Sequence, residues 1–478
     1  MRKDNSSSPT VPTPPGVDLG LNVFRRAVGA RAYSDFLADH GVAPATIRTE
    51  ADYSRIPVMT KDNYLRRYPL DELIPGGDLT DLGTWWTSSG STGRSTYWGG
   101  AGTSTAESVD LYDRIFRRSF AVPGRSVLVV NGFAMGNWIG GIYTYLAALG
   151  LRSRKHRLSV ITPGMDIERI LDNIATLGPH YDQVILTGYP PFVKDVLDQA
   201  PDPVLHRDLR LLLAGENVTE EWRDQILGRI GRADSAEHTT LIYGTADAGV
   251  MGNETPTTIA VRRLARADPA LYRALYGAAP TQPTFVEYEP AYRCTEAGTD
   301  GSLLFTADTP IPLVRYRIND LGRVISAAEL DAVLRAHGHD LPIATSSRTA
   351  GFIALHGRTD VAATFYAVKL YHESVRPAIE DRAAAGRLSG KFVLSGAVDA
   401  DFEQHLVLDV ELCVGGSGGD ALATFVQRSV VDSLRRTSTE YRKLHDTLGE
   451  RAEPRVELHP YGSDRFLHGP KHRWTAAS

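Results

Sequence analysis

The chain has 478 residues, enough for more than one hydrophobic core, so we expect two domains or one large domain with an appendage. Its formal net charge of -5 shows no basic excess, which argues against nucleic acid as a partner. Its two cysteines, Cys294 and Cys413, are far apart, indicate neither a disulfide framework nor a zinc site, and suit a reducing cytoplasm.

The chain begins with a polar, proline-rich stretch, residues 1–16, that has no apolar signal-peptide core. This composition predicts a disordered leader. From about Asn22 to Leu73 the pattern is mostly helical, and Thr60 is the expected N-cap of one helix.

One uncharged segment, Ser126–Leu151, has about the length of a membrane span. Its β-branched start, "VLVV", and the glycines that follow favour a buried strand, a loop and a packed helix. No second run of this kind occurs, so we expect no membrane partner.

Short apolar runs alternate with amphipathic stretches through the middle of the chain. This alternation predicts βαβ units and a largely parallel sheet, which binds ligands at the carboxyl ends of its strands. The expected strands are "SVLVV", "LSVIT", "QVILTG", "LRLLLAG" and "TTLIYG".

Past Thr284 the pattern becomes β-rich, with runs such as "TFVEYEP", "GSLLFT" and "LVRYRI". The turn "GRTD" then precedes a final α+β unit, in which "KFVLSGAVD", "HLVLDVELCV" and "PRVELHPY" are expected strands and 421–437 a helix. The fold class is therefore α/β, with parallel or mixed sheets flanked by helices, a β-rich subdomain and a small C-terminal α+β domain.

The stretch "SSGSTG", residues 88–93, places four hydroxyl side chains around two glycines. Glycines allow close backbone approach, and consecutive N–H groups with hydroxyls can bind phosphate oxygens. The pattern lacks the lysine of a P-loop, so it does not predict an ordinary P-loop NTPase.

A second glycine-rich stretch, residues 415–419, matches the G-x-S-x-G pattern of a hydrolase nucleophile elbow around Ser417. An elbow is a tight turn in a large parallel sheet, whereas this stretch belongs to the small terminal unit. A flexible glycine-rich loop explains it better.

Several further motifs follow in a fixed order: "IPVMTKDNY", "NGFAMGNWIGG", "LLLAGENV", "LIYGTADAG", "RYRINDLGRV" and "HGRTDVAATFYAV". With the 88–93 loop, this order resembles the adenylate-forming superfamily of acyl-CoA ligases and adenylation domains, most closely the phenylacetate-CoA ligase branch. The resemblance implies a large domain, residues 17–357, and a small mobile domain, residues 358–478, which turns about a hinge at Asp360.

The resemblance also implies a set of ATP-binding residues. Asp320 would accept hydrogen bonds from both ribose hydroxyls, and Arg358 would contact the ribose or phosphates. The 88–93 loop would hold the β- and γ-phosphates, and two strand ends would form the adenine pocket. These two groups are Ser88, Ser89, Gly90, Ser91, Thr92 and Gly93 for the phosphates, and Gly215, Glu216, Tyr243 and Gly244 for the adenine pocket.

Three residues are implied in catalysis. Asp247 replaces the family's magnesium-binding glutamate with a shorter carboxylate. Thr245 is the substitute for an α-phosphate-contacting hydroxyl, because Ala246 stands in the usual position. Lys471 matches the C-terminal lysine that reaches the α-phosphate, with Lys443 as the alternative.

The acid would bind between "NGFAMGNWIGG" and the strand ends at Ala214 and Gly244. Phe133, Met135 and Trp138 offer flat apolar walls that suit an aromatic acid, although each could equally pack in the core.

The resemblance implies that a small carboxylic acid attacks the α-phosphate of Mg²⁺-bound ATP, which releases pyrophosphate and yields an acyl-adenylate. CoA, a pantetheinyl acyl carrier protein or an amine would then displace AMP; Ala367 and Lys369 depart from the ligase pattern near the expected thiol path. Three alternatives stay open: a nitrite-activating, diazotase-type member of the superfamily, a catalytically impaired nucleotide-binding relative, and a hydrolase that uses Ser417.

Overall fold

The computed structural model describes residues 16–87, 96–100, 102–137, 139–279, 282–345, 347, 349–358, 362–365, 368–398 and 404–466. The strands are β1 (Thr84–Thr87), β2 (Tyr97–Gly100), β3 (Ser126–Asn131), β4 (Arg157–Ile161), β5 (Gln183–Gly188), β6 (Leu209–Ala214), β7 (Thr239–Thr245), β8 (Gly249–Asn253), β9 (Thr284–Tyr288), β10 (Arg293–Ala297), β11 (Ser302–Ala307), β12 (Leu313–Ser326), β13 (Gly351–Arg358), β14 (Ala362–Phe365), β15 (Val368–Tyr371), β16 (Leu388–Val398), β17 (Gln404–Leu412) and β18 (Arg455–His459). The helices are α1 (Val17–Ala27), α2 (Arg31–Asp39), α3 (Glu50–Tyr53), α4 (Gly102–Arg118), α5 (Ile139–Ser153), α6 (Ile167–Leu177), α7 (Pro190–Asp198), α8 (Asp202–Leu205), α9 (Glu220–Arg229), α10 (Pro256–Ala267), α11 (Pro269–Tyr276), α12 (Ala327–Ala336), α13 (His372–Ile379), α14 (Asp420–Thr437) and α15 (Thr439–Leu448).

Eleven of the described strands form one mixed sheet, in the order β10-β11-β12-β13-β9-β8-β7-β6-β5-β3-β4. Strands β4, β3, β5, β6 and β7 are parallel, as the apolar runs predict. From β7 through β8 to β10 the neighbours are antiparallel. The sheet thus joins the predicted parallel part to the predicted β-rich part.

The parallel strands β3, β5, β6 and β7 are buried on both faces because helices cover both sides of the sheet, whereas the edge strand β4 is only partly buried. Along β3, Leu128 and Val130 pack into one core, whereas Val127 and Val129 pack into the other. This two-residue alternation follows from strand geometry, and burial on both faces explains why the sequence shows an unbroken apolar run.

The segment Ser126–Leu151 forms β3, a loop and most of α5, as predicted. Among the described residues, no helix has both the length and the apolar character needed to cross a bilayer.

The N-terminal helices pack on the antiparallel part of the sheet. Phe24, Tyr33 and Tyr64 share a core with Tyr316 of β12. The predicted cap at Thr60 is present: its hydroxyl accepts a hydrogen bond from the backbone N–H of Asn63 at 3.1 Å. It caps a single π-helical turn, Lys61–Leu65.

A separate three-stranded sheet, β16-β17-β18, forms the small C-terminal unit with α13, α14 and α15. Strand β13 still belongs to the large sheet, whereas Ala363 and Phe365 of β14 pack in the core of the small unit. The chain therefore changes core between residues 358 and 362, the stretch in which the hinge is predicted. Asp360 itself lies outside the described residues.

The G-x-S-x-G stretch, residues 415–419, is an exposed loop between β17 and α14 of the small unit. It therefore lies outside the large sheet in which a nucleophile elbow would form.

Candidate nucleotide and acid site

A cavity of about 690 Å³, its open mouth included, lies at the carboxyl ends of β5, β6 and β7. Ala214, Gly215 and Gly244, all predicted site residues, line it. Gly215 has φ +90°, a left-handed conformation that residues with a β-carbon rarely adopt, where the chain leaves β6. The sheet thus brings ligand-accessible groups together where parallel sheets usually bind ligands.

Tyr243 and Asp320, predicted for adenine and ribose, are in direct contact. The Tyr243 hydroxyl donates a hydrogen bond to Oδ2 of Asp320, and both side chains are buried. The residue before the aspartate, Asn319, has φ +69°. Such a conformation is uncommon for a residue with a β-carbon, and in β12 it marks an irregularity at the carboxylate.

Asp320 faces Arg358 across the β12–β13 pair. The structure therefore places the backbones of the predicted ribose aspartate and its partner arginine side by side. The Arg358 side chain lies outside the described part of the chain.

Asp247 lies in the turn between β7 and β8 and is 6% exposed. Its Oδ2 accepts a hydrogen bond from the Tyr316 hydroxyl at 2.7 Å and lies 3.3 Å from Nζ of Lys61. In this arrangement the Lys61 ammonium neutralises the carboxylate, so a magnesium ion would have to displace a protein cation to reach Oδ2. The geometry does not fit Asp247 as a direct Mg²⁺ ligand.

Thr245 and Ala246 belong to the same turn. The Thr245 hydroxyl accepts a hydrogen bond from the backbone N–H of Ala248 at 3.0 Å. Both residues line the cavity. Thr245 therefore supports the turn and also presents an atom to the cavity.

Strand β1, which precedes the predicted phosphate loop in the sequence, contacts this turn. The Trp86 indole N–H donates to the carbonyl oxygen of Ala246 at 2.8 Å, and the Thr87 N–H donates to the carbonyl oxygen of Asn137 at 2.8 Å. Thr87, the last residue of β1, lines the cavity. The loop residues themselves, Ser88, Ser89, Gly90, Ser91, Thr92 and Gly93, lie outside the described residues.

Two of the three predicted acid-pocket side chains are described, and they differ in position. Phe133 lines the cavity and packs edge-on against Tyr189, with ring centroids 5.2 Å apart. Met135 is absent from the cavity lining. It packs instead against α5, because Gly141 has no β-carbon and leaves room for the sulfur. Trp138 lies outside the described residues.

The sequence motifs do not indicate several of the cavity residues, among them Tyr112, Tyr143, Thr144 and Tyr189. Burial raises the pKa of Tyr189 to about 12, with a further contribution from the negative charge of Glu216. The glycines of "IGGIYT" are the sequence feature that could have indicated these cavity residues, since Gly140 and Gly141 lie where α5 packs against Tyr189 and Met135.

Glu216 contacts the small unit. Its carboxylate forms a 3.0 Å ion pair with Arg376 of α13, and both side chains are almost fully buried. Nearby, the Thr219 hydroxyl donates to Glu380 Oε2 at 2.7 Å. The residue predicted for the adenine pocket therefore links the cavity wall at Gly215 to the C-terminal unit.

The predicted catalytic Lys471 lies outside the described chain, as does the side chain of Lys443. Within the described parts, Asp409, Glu457 and His459 are close enough together to hold a metal ion. Asp409 already contacts His459 at 2.7 Å and Arg465 at 2.6 Å. Its charge is therefore satisfied by protein groups in the small sheet.

No family model and no curated protein matches the sequence. Solved structures do match. A GH3.15 acyl acid amido synthetase aligns with 92% of this chain and 85% of its own, at 14% identity and a TM-score of 0.55. A 2-hydroxyisobutyryl-CoA ligase in complex with 2-HIB-AMP and CoA aligns with 100% of this chain and 94% of its own, at 16% identity and a TM-score of 0.46. The anthranilate CoA ligase AuaEII in complex with anthranoyl-AMP aligns with 82% of this chain and 66% of its own, at 12% identity and a TM-score of 0.49.

The alignment with the GH3.15 acyl acid amido synthetase shows a likeness of fold. The chain shares with it a large mixed sheet flanked by helices and a separate small sheet domain, the architecture that the ordered motifs predict.

Proposed function

We propose that the chain activates an aromatic carboxylic acid with ATP. The acid's carboxylate oxygen attacks the α-phosphorus, the bond to the bridging oxygen of pyrophosphate breaks, and an acyl-adenylate forms. Two observations carry this proposal: the buried Tyr243–Asp320 pair, and a cavity lined by Phe133 and the β6 and β7 strand ends.

The pair suits a nucleoside because a carboxylate offers two acceptor oxygens to the vicinal hydroxyls of a ribose. The Tyr243 hydroxyl fixes the orientation of this carboxylate. The hairpin β1–β2 ends on the Ala246 carbonyl, so its loop starts beside the same turn. These contacts support a triphosphate that extends from Asp320 past Thr245 to the 88–93 loop.

Catalysis in this proposal is positioning and charge neutralisation. Thr245 would orient the α-phosphate, and Lys61 would add positive charge beside it while it balances Asp247. Lys471 would bring a second cation from the C-terminal segment. Magnesium would arrive with the ATP phosphates, whose negative charge it neutralises.

The proposed branch is phenylacetate-CoA ligase-like, and the proposed second step transfers the acyl group to the thiol of CoA or of a carrier-bound pantetheine, or to an amine. Each nucleophile attacks the acyl carbon and releases AMP. The proposed domains are residues 17–357 and 358–478, with rotation about Asp360 between the two steps.

A second candidate is a nucleotide-binding relative without catalysis. The pairing of Asp247 with Lys61 and the alanine at position 246 favour it, because both depart from the superfamily's catalytic pattern. This candidate predicts ATP binding without pyrophosphate release.

Pyrophosphate release from ATP separates the two candidates. The assay would use benzoic, phenylacetic and cinnamic acids, an aliphatic acid of similar length, and nitrite in place of the acid. We expect release that depends on an aromatic acid. Tight ATP binding without release for any acid would favour the non-catalytic relative, and release with nitrite alone would favour a diazotase-type activity.

A further inference from the structure

One wall of the cavity carries hydroxyl groups. Tyr112 of α4 and Thr144 of α5 are almost fully buried, and their oxygens are 2.7 Å apart. Tyr143, the neighbour of Thr144, also lines the cavity. Phe133 and the strand ends also line the cavity, so the cavity offers both hydroxyl groups and apolar surface to a ligand.

The hydroxyl groups of this wall keep some of their hydrogen-bonding capacity for a ligand. The Tyr112–Thr144 contact uses one of the two hydroxyl hydrogens, and either oxygen can be the donor. The other hydrogen and the remaining lone pairs are available to a ligand. Tyr143, which lines the cavity, carries a hydroxyl that can donate one hydrogen bond.

The surroundings keep these groups neutral and polar. Burial raises the pKa of Tyr112 and of Tyr143 well above the ordinary value, so both remain hydrogen-bond donors at neutral pH. Behind them, a β-carbon on Gly249 would lie 3.3 Å from the Tyr143 oxygen and 3.4 Å from Nη2 of Arg293. Arg293 pairs with Glu107 at 2.5 Å, so an ion pair supports the hydroxyl wall.

An unsubstituted aromatic ring would displace water from these hydroxyls and return no hydrogen bond, which is unfavourable for buried polar groups. A ring hydroxyl provides both an acceptor and a donor. It can accept from Tyr143 and donate to the Tyr112–Thr144 pair.

We propose that the acid activated here carries a hydroxyl group on its aromatic ring, and that Tyr143 and the Tyr112–Thr144 pair select it. The proposal rests on the proposed function, because it names the substrate class of the same site. It makes these three side chains specificity-determining residues and gives them no part in the chemistry at the α-phosphate.

The test uses three acids of one carbon skeleton: cinnamic acid, a cinnamic acid with a hydroxyl group on the ring, and a cinnamic acid with an amino group at the same ring position. For the full chain we expect kcat/KM for the hydroxylated acid to exceed that for cinnamic acid by about tenfold or more. Tyr143→Phe and Thr144→Val should each remove most of this preference, mainly through KM for the hydroxylated acid. Tyr145→Phe, an exposed tyrosine on the same helix, is the matched control and should keep the preference.

Calorimetric titration of the same acids in the absence of ATP tests the inference without turnover. The hydroxylated acid should bind about tenfold tighter than cinnamic acid, and Tyr143→Phe should equalise the two. Equal binding to the unaltered chain, or a preference that Tyr143→Phe and Thr144→Val both retain, would overturn the inference. A preference for the amino derivative would also overturn it. Absence of pyrophosphate release with every acid would contradict the proposed function, while the binding order would still decide the inference.

Discussion

The Asp320 carboxylate is 3% exposed and accepts a hydrogen bond from the Tyr243 hydroxyl. Asp320→Ala would remove the proposed ribose acceptor. We expect KM for ATP to rise about 10- to 100-fold, because a hydrogen bond to a buried charged group contributes about 1.5–3 kcal/mol. Asp320→Asn keeps one acceptor oxygen and should show a smaller defect. Pyrophosphate kinetics at varied ATP concentration measure both.

Asp331→Ala, at a side chain of α12 that is 44% exposed, is the matched control for that substitution. Thermal unfolding of each variant separates loss of nucleotide contact from loss of fold. If Asp320→Ala keeps the KM for ATP of the unaltered chain and folds normally, the ribose assignment is wrong.

Lys61 forms an ion pair with Asp247 in the β7–β8 turn, which the proposed triphosphate passes. Lys61→Met leaves a negative carboxylate that repels the triphosphate, so we expect pyrophosphate release to fall about tenfold or more. Adding Asp247→Asn to this variant should restore part of the activity, because the repulsion is removed. The double-mutant cycle should give a coupling energy of about 1–3 kcal/mol.

Asp62→Asn, on the same π-helical turn but 81% exposed, is the control for this cycle. Effects of Lys61→Met and Asp247→Asn that simply add would show that the pair does not act as a unit.

For single residues, sequence motifs indicate which residues belong to the site better than they indicate which of these residues contact each other. Asp320 and Tyr243 are each predicted from a motif, yet they are far apart in sequence and their hydrogen bond depends on where β12 lies in the sheet. Lys61 lies in "IPVMTKDNY", and nothing in this sequence distinguishes a site lysine from a lysine on the solvent-exposed surface. Only the tertiary approach of the N-terminal region to the β7–β8 turn identifies it.

Among the elements, α9, α10 and the end of β8 are joined by a buried network of ion pairs. Arg223 of α9 contacts Glu220 at 3.2 Å and Glu254 at 2.7 Å. Arg262 of α10 contacts the same two carboxylates and donates to the carbonyl oxygen of Val218 at 2.8 Å. All four side chains are fully buried, so the network fixes two helices behind the strand ends that form the cavity.

Acidification should weaken this network of ion pairs. Desolvation alone would raise the pKa of Glu220, but Arg223 and Arg262 lower it to about 2. Because the pKa is lower in the folded chain than in the unfolded chain, where it is about 4.5, the carboxylate stabilises the fold above about pH 4.5. This contribution is lost as the pH falls towards 2. Denaturant unfolding as a function of pH should show a falling free energy of unfolding in that window.

Glu220→Gln should lower the free energy of unfolding at neutral pH by about 3–5 kcal/mol, because it leaves buried guanidinium groups undercompensated. It should also flatten the pH dependence between about 4.5 and 2. Glu221→Gln, the exposed neighbour that pairs with Arg266, should change neither. Equal effects of the two substitutions would contradict the role assigned to the network.

The parallel strands could be predicted because burial on both faces imposes a continuous apolar run, as in "QVILTG". Strands β1, β2 and β8 could not, because they are short and carry glycines or polar residues in place of an apolar run. Strand β12 is also irregular, with positive φ at Arg315 and Asn319. Its sequence pattern predicts a strand but does not predict the backbone irregularity next to Asp320.

At the scale of the whole molecule, the small unit docks on the large one through charged groups. Arg376 meets Glu216, and Lys391 meets Asp195 at 2.7 Å. Arg376→Ala should weaken this docking by about 2–5 kcal/mol, since it leaves a buried carboxylate without its partner. Small-angle X-ray scattering should then report a larger radius of gyration. Arg382→Ala, an exposed position in the small unit, should leave the scattering unchanged.

An Arg376→Ala variant with an unchanged radius of gyration and unchanged pyrophosphate kinetics would show that the pair does not couple the small unit to the cavity. Glu216 was assigned to the adenine pocket from the resemblance of its motif. Its ion pair with Arg376 depends on how two separately folded cores meet, and no local pattern encodes that arrangement.

In the proposed reaction, the acid's carboxylate attacks the α-phosphate of ATP. The most direct measurement supplies an aromatic acid with both carboxylate oxygens isotopically labelled and follows the label by mass spectrometry. We predict one labelled oxygen in each AMP released, because cleavage at the acyl carbon leaves the bridging oxygen on phosphorus. Unlabelled AMP, or release of ADP and phosphate in its place, would contradict the account.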